Sequence, residues 1–182
     1  MKKIILLITI SFLLIGCNKK FNGKEISFEL NNIIVDGYEW SYIIEDNSII
    51  KNNKGFKFIS LKEGKTKITF NYFKDKEILY NAIYDLSVDK LGNVRIDNKT
   101  GNYFALEQLY KYDYKKLGLP SKISNYLVLI DKDMTIFEDN EYYNLGFYIY
   151  LDKRKYKITN LLVSKDYHKI YKKIDNNYIL VE

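Results

Sequence analysis

Apolar and polar residues alternate in short runs along most of this chain. Ile26, Phe28 and Leu30 stand on one side of a two-residue period, with Ser27 and Glu29 between them. That is the repeat of a strand with one buried face. It recurs at Phe56/Phe58, at Ile68/Phe70/Tyr72 and at Leu86/Val88. Strands are therefore predicted at Trp40–Ile44, Ile49-Ile50, Phe56–Leu61, Thr66–Phe73, Ile78–Val88 and Val94–Ile96. Residues that favour turns separate them: Asp46-Asn47, Asn52–Gly55, Glu63-Gly64-Lys65, Lys74–Glu77 and Lys90–Asn93. Asn31-Asn32 interrupts the first strand before Ile33-Ile34-Val35.

The period then changes. Phe104, Leu106, Leu109, Tyr110, Tyr114 and Leu117 fall near helical spacing, which predicts one amphipathic helix over Tyr103–Leu117. Asn102 is its expected N-cap, and Gly118 and Pro120 its stop. The polar run Asp97–Asn102 just before it is the expected domain boundary. Strand signals return at Tyr126–Ile130, Met134–Phe137, Leu145–Leu151, Tyr156–Val163, His168–Ile174 and Tyr178–Val181, with connections at Asp152–Lys155 and Asp175–Asn177. The expected fold is mainly β: an immunoglobulin-like β-sandwich over 26–97, then a second β-rich unit with one helix over 98–182. Tyr38, Trp40, Phe58 and Phe70 are its expected core.

Composition supports strands: 18 tyrosines and 10 phenylalanines against one proline. It also marks the start of the chain as something other than fold. Lys2 and Lys3 precede an apolar run, Ile4–Ile15, too short for an ordinary membrane span of ~20 residues. The run ends in Leu14-Ile15-Gly16-Cys17, which resembles a bacterial lipobox. Residues 1–16 are thus expected to be a lipoprotein signal peptide, Cys17 the lipid attachment point and 17–25 a tether. The expected location is the bacterial cell envelope, on the membrane through the lipid. Cys17 is the only cysteine, so lipidation would leave no thiol and no disulfide. The formal charge of +6, less Lys2 and Lys3, leaves +4 on the processed chain. Its scattered lysines form no basic stripe for nucleic acid.

Catalytic patterns are missing. His168 is the only histidine and has no cysteine beside it for a zinc site. There is no nucleophile elbow and no glycine-rich phosphate loop. The acidic residues Asp131, Asp133, Glu138 and Asp139 lie beside turn signals and fit no calcium loop. No cofactor, metal or enzymatic activity is expected.

One ordered string carries more: Gly37-Tyr38-Glu39-Trp40, then Gly55-Phe56-Lys57-Phe58, Leu61 to Tyr72, and Leu86-Ser87-Val88. It resembles the chagasin-like family of cysteine-protease inhibitors, over roughly residues 26–97. The resemblance implies three loops at one end of a sandwich, the first crossing the active site of a papain-like cysteine protease. Here these are the segment with Val35, Asp36 and Gly37, the turn with Lys54 and Gly55, and the turn with Phe73, Lys74 and Asp75. Of the family's first-loop pattern Asn-Pro-Thr-Thr-Gly only Gly37 is kept, and the third loop lacks the family's tryptophan. Two functions stay open: an anchored protease inhibitor, or a non-inhibitory binding or structural lipoprotein.

Overall fold

The computed structural model describes residues 20–30, 35, 37–131, 134–175 and 177–181. The expected signal peptide at 1–16, Cys17 and Asp36 lie outside the described residues. The chain is mainly β; the described residues form three antiparallel sheets and one α-helix.

The first half supplies β1 (Glu25–Ser27), β2 (Glu39–Ile44), β3 (Ile50–Lys54), β4 (Lys57–Ser60), β5 (Gly64–Lys74), β6 (Glu77–Val88) and β7 (Val94–Thr100). They form a small sheet, β1-β4-β3, and a central sheet, β2-β5-β6-β7. Alternation fixes the register of the central sheet. Trp40 faces Tyr72, Tyr42 faces Phe70, and Phe70 faces Ala82 on the next strand. Ile68, Phe70, Tyr80, Ala82 and Leu86 are thereby buried on one face. Lys65, Lys67, Ser87 and Arg95 lie on the opposite, solvated face, as antiparallel sheets permit. The small sheet covers the apolar face through Phe28 and Phe58. Their rings lie 5.2 and 5.9 Å from Phe70, and Phe28 lies 4.5 Å from Tyr84.

The helix α1 spans Asn102–Leu109, not Tyr103–Leu117. Beyond it the Asp113 side chain accepts the Lys115 N–H at 2.8 Å. Such a local bond competes with helical bonding, and the chain continues as turns to Gly118. Asn102 is not the cap either. Its Oδ1 accepts the Asn81 N–H at 2.7 Å, and the Asn81 Oδ1 accepts the Asn102 N–H at 2.9 Å. That reciprocal pair ties the helix to β6, so the oxygen meant for the first helical turn is already used. Gly101 holds the cap position at φ +116°, and a Cβ there would stand 2.4 Å from the Asn81 carbonyl oxygen. Only glycine fits both the conformation and the approach.

The polar run at 97–102 is structured as well. Asp97–Thr100 belong to β7, an exposed edge strand on β6. The two halves share one core. Tyr103, Phe104, Leu106 and Leu109 of α1 join Phe70 and Tyr80 in a single buried cluster with Val128, Phe147, Leu161 and Val163 of the second half. The Tyr80 hydroxyl donates to the Val128 carbonyl.

The second half adds β8 (Leu127–Ile130), β9 (Thr135–Phe137), β10 (Asn140–Leu151), β11 (Arg154–Ser164), β12 (Ile170–Ile174) and β13 (Asn177–Leu180). Their order is β13-β12-β11-β10-β8, with β9 also on β10. The β10–β11 hairpin outruns its neighbours. β8 pairs only with 145–148 of β10, and β12 only with 161–163 of β11. Among the described residues, Ile149–Asn160 pair with no third strand and form a two-stranded arm, turning at Asp152 and Lys153 with φ of 49° and 64°. Tyr150, Leu151, Tyr156 and Ile158 on it are exposed.

Candidate functional site

Strand direction decides which loops meet. β4 enters β5 through residues 61–63, so the β3–β4 turn lies toward the end where β5 finishes and turns into β6. β2 starts with Glu39 opposite Phe73, which brings the segment before it to that same end.

There the first and third loops touch. The Val35 N–H donates to the Tyr72 hydroxyl at 3.1 Å, and the Tyr38 N–H to the Val35 carbonyl at 3.0 Å. Gly37 has φ +79°, and a Cβ on it would come 2.8 Å from the Lys74 Nζ. The Lys74 side chain therefore lies across Gly37. The Tyr38 ring stacks on Tyr72 at 5.6 Å, and its hydroxyl donates to Glu77 Oε2 at 2.6 Å. That bond, with some burial and the Glu77 charge, pushes the Tyr38 phenol up to about 12. The phenol keeps its proton, and so its bond, through the neutral range.

The second turn stands lower. Asn52 Nδ2 closes it on the Gly55 carbonyl at 2.6 Å. The Phe56 ring reaches Phe70 at 5.3 Å, four residues short of Lys74, or about 13 Å along a strand. Lys54 and Gly55 are exposed. Phe73 is half-buried at the end of β5, and Asp75 sits in the exposed β5–β6 turn at φ 54°. Asp36 lies outside the described residues, as does the stretch 31–34 before it. Phe58 and Phe70 are fully buried. Trp40 sits at the rim of the core, half-buried, 5.1 Å from Tyr72 and edge-on to Tyr103 at 5.3 Å. Its Nε1 has no hydrogen-bond partner among the described residues.

Two parts of this end escaped the sequence reading. Glu77 looked like one charge in a polar connection, yet it anchors Tyr38 from 39 residues away. The root of the β10–β11 arm also reaches this end, since Tyr148 lines the same groove as Lys76, Glu77 and Ile78. No sequence signal relates the two.

His168 is exposed in a turn, where its backbone N–H bonds Ser164 Oγ and Asp166 Oδ1, each at 3.1 Å. Among the described residues no three His, Cys, Asp or Glu side chains gather as a metal site, and no helix is long and apolar enough to cross a membrane. Comparison with known proteins finds no matching family, no similar curated protein and no similar solved structure.

Proposed function

We propose that this protein is a membrane-anchored lipoprotein whose loop end is a non-catalytic binding surface, with a papain-like cysteine protease as partner. The observation that carries this reading is the contact between the first and third loops. Val35 on Tyr72, Gly37 under Lys74 and Tyr38 on Glu77 hold two connections side by side before any partner arrives. A surface ordered beforehand loses less entropy on binding.

The exit of the chain suits such a role. The Asn22 N–H donates to the Leu91 carbonyl at 3.3 Å, and the Lys24 N–H to Ser60 Oγ at 2.9 Å. The last part of the expected tether is thus docked at the β6–β7 turn, the opposite end of β5 from the loops. β5 is 11 residues long, about 36 Å. Cys17 precedes Asn22 by five residues, a reach of at most about 17 Å. A lipid on Cys17 would hold the β6–β7 end near the bilayer and point the loop end away from it.

One observation favours a non-inhibitory partner instead: Lys74 covers Gly37, the residue kept from the family's first loop. The deciding experiment is titration of the full chain in neutral detergent against several papain-like proteases, wild type beside Lys74→Ala. Saturable inhibition that changes with Lys74 supports the inhibitor. Full protease activity at high micromolar protein removes it and leaves the non-inhibitory lipoprotein. Lipid labelling lost in Cys17→Ala tests the anchor separately.

A further inference from the structure

Next to the loop end, a groove of about 590 Å³ opens between the β5–β6 turn and the edge strand β8. It shares Glu77 with the loop contacts described above and otherwise lies beside them. Its polar groups are set before any ligand arrives. Asn81 and Asn102 fix each other's amide planes through their reciprocal bonds. Asp131 Oδ2 accepts from Asn144 Nδ2 at 2.7 Å, and Asn144 Oδ1 accepts from Asn160 Nδ2 at 2.7 Å. Asn81, Asn102 and Asp131 all line the groove.

Tyr148 lines it too, at the root of the arm. Its ring is pressed along the strand over Gly146, where a Cβ would stand 2.8 Å from the ring. The ammonium groups of Lys155 and Lys157 lie 4.9 and 5.8 Å from its centroid. Lys153 and Arg154 extend this charge along the arm, against the single acid Asp152. Among the described residues none of these four cations has a carboxylate within salt-bridge distance. Tyr150 and Tyr156 are exposed beside them.

These parts match one ligand chemistry. Planar amides and a carboxylate suit adjacent sugar hydroxyls, which donate and accept together. A flat tyrosine ring suits the apolar face of a pyranose. Cations without acid partners suit carboxylates carried on one edge of the sugar. We propose that the groove and the arm together bind an acidic polysaccharide, with its hydroxyls toward Asn81, Asn102 and Asp131, a ring against Tyr148 and its carboxylates on Lys155 and Lys157. Glu77 and Asp131 face the groove and repel any anionic group there, so the neutral hydroxyl edge of the sugar lies in the groove and its carboxylates lie on the arm; a DNA strand has no adjacent hydroxyls to offer that edge.

The test is calorimetric titration of the full chain in neutral detergent micelles. The probes are oligogalacturonate, a neutral dextran oligosaccharide, a single-stranded oligonucleotide and micelles doped with phosphatidylglycerol. Saturable oligogalacturonate binding that weakens with salt, with none to dextran, is expected. Lys155→Glu and Lys157→Glu, both exposed, should each weaken it roughly tenfold, and Tyr148→Ala comparably. Lys90→Glu, at the tether end, should not. Melting curves identify any variant that fails to fold, and the surface lysine variants do not depend on Tyr148. Absence of binding at millimolar sugar overturns the proposal. So does equal or tighter binding of the oligonucleotide or the anionic lipid, or a loss with Lys90→Glu as large as with the arm variants.

Discussion

Tyr80→Phe tests whether the two halves act as one cooperative unit. Tyr80 is fully buried on β6, and its hydroxyl donates to the Val128 carbonyl on β8, from the central sheet to the C-terminal one. The substitution removes one oxygen. The ring keeps its stack on Tyr72 at 5.9 Å, so no large cavity forms. What is lost is the bond, and Val128, itself only 4% exposed, is left with a carbonyl that water cannot easily reach. A buried polar atom deprived of its partner costs about 1–3 kcal/mol. For a chain of this size that is a fall in melting temperature of roughly 2–12 °C. The full chain in detergent would be melted with two probes, Trp40 fluorescence for the central sheet and far-UV circular dichroism for the whole. Both should show one transition, moved down together. An unchanged midpoint would refute the bond. A shift in one probe alone would refute the shared core.

Phe70→Ala should cost about 3–5 kcal/mol, because the ring is fully buried among Phe28, Phe56, Phe58 and Tyr84; urea unfolding measures it, and a loss under about 1 kcal/mol contradicts the packing. Gly101→Ala combines a positive φ with a Cβ 2.4 Å from a backbone oxygen, so it should destabilise by at least about 1–3 kcal/mol and loosen α1, seen as faster amide exchange at Phe104–Leu109. Asp89 is held below the usual carboxylate range by the Asn93 side chain and by the Asn93 and Leu91 N–H groups. Its folded pKa is lowered, so its contribution is fully present above the unfolded value of about 3.9 and is lost as pH falls through the folded one. The melting temperature should therefore decline below about pH 4, and the Asp89→Asn variant should show a shallower decline over that window than wild type.

The strands were readable where one face is buried and the other wet. β5 and β6 follow from Ile68/Phe70/Tyr72 and Leu86/Val88, because a one-residue slip would expose every one of those side chains. β7 was half missed for the converse reason. Along Arg95–Thr100 the edge strand is exposed throughout, so its composition resembles a linker. The helix was drawn too long because Tyr110, Tyr114 and Leu117 keep the apolar spacing, although the chain past Leu109 is held in turns by the Lys111 and Tyr112 N–H bonds to the Gln108 and Leu109 carbonyls. β11 begins two residues before its predicted start, at exposed Arg154 and Lys155, and β10 five before, where the buried Tyr142 stands among the polar Asn140, Glu141 and Asn144. At the loop end, turn residues announce connections but not their neighbours. Nothing in Glu77 points to Tyr38, and nothing in Lys74 points to Gly37.

The arm has a consequence for how copies of this protein behave at high concentration. Along Arg154–Asn160 the outer edge of β11 has no neighbouring strand among the described residues, so its backbone groups offer a ready template to another chain. Arg154, Lys155 and Lys157 punctuate that stretch, and a second arm approaching in register would set like charges side by side. Crowded copies thus repel each other where their backbones would otherwise zip together. Neutralising those three cations would turn the same ribbon into a seed for aggregation.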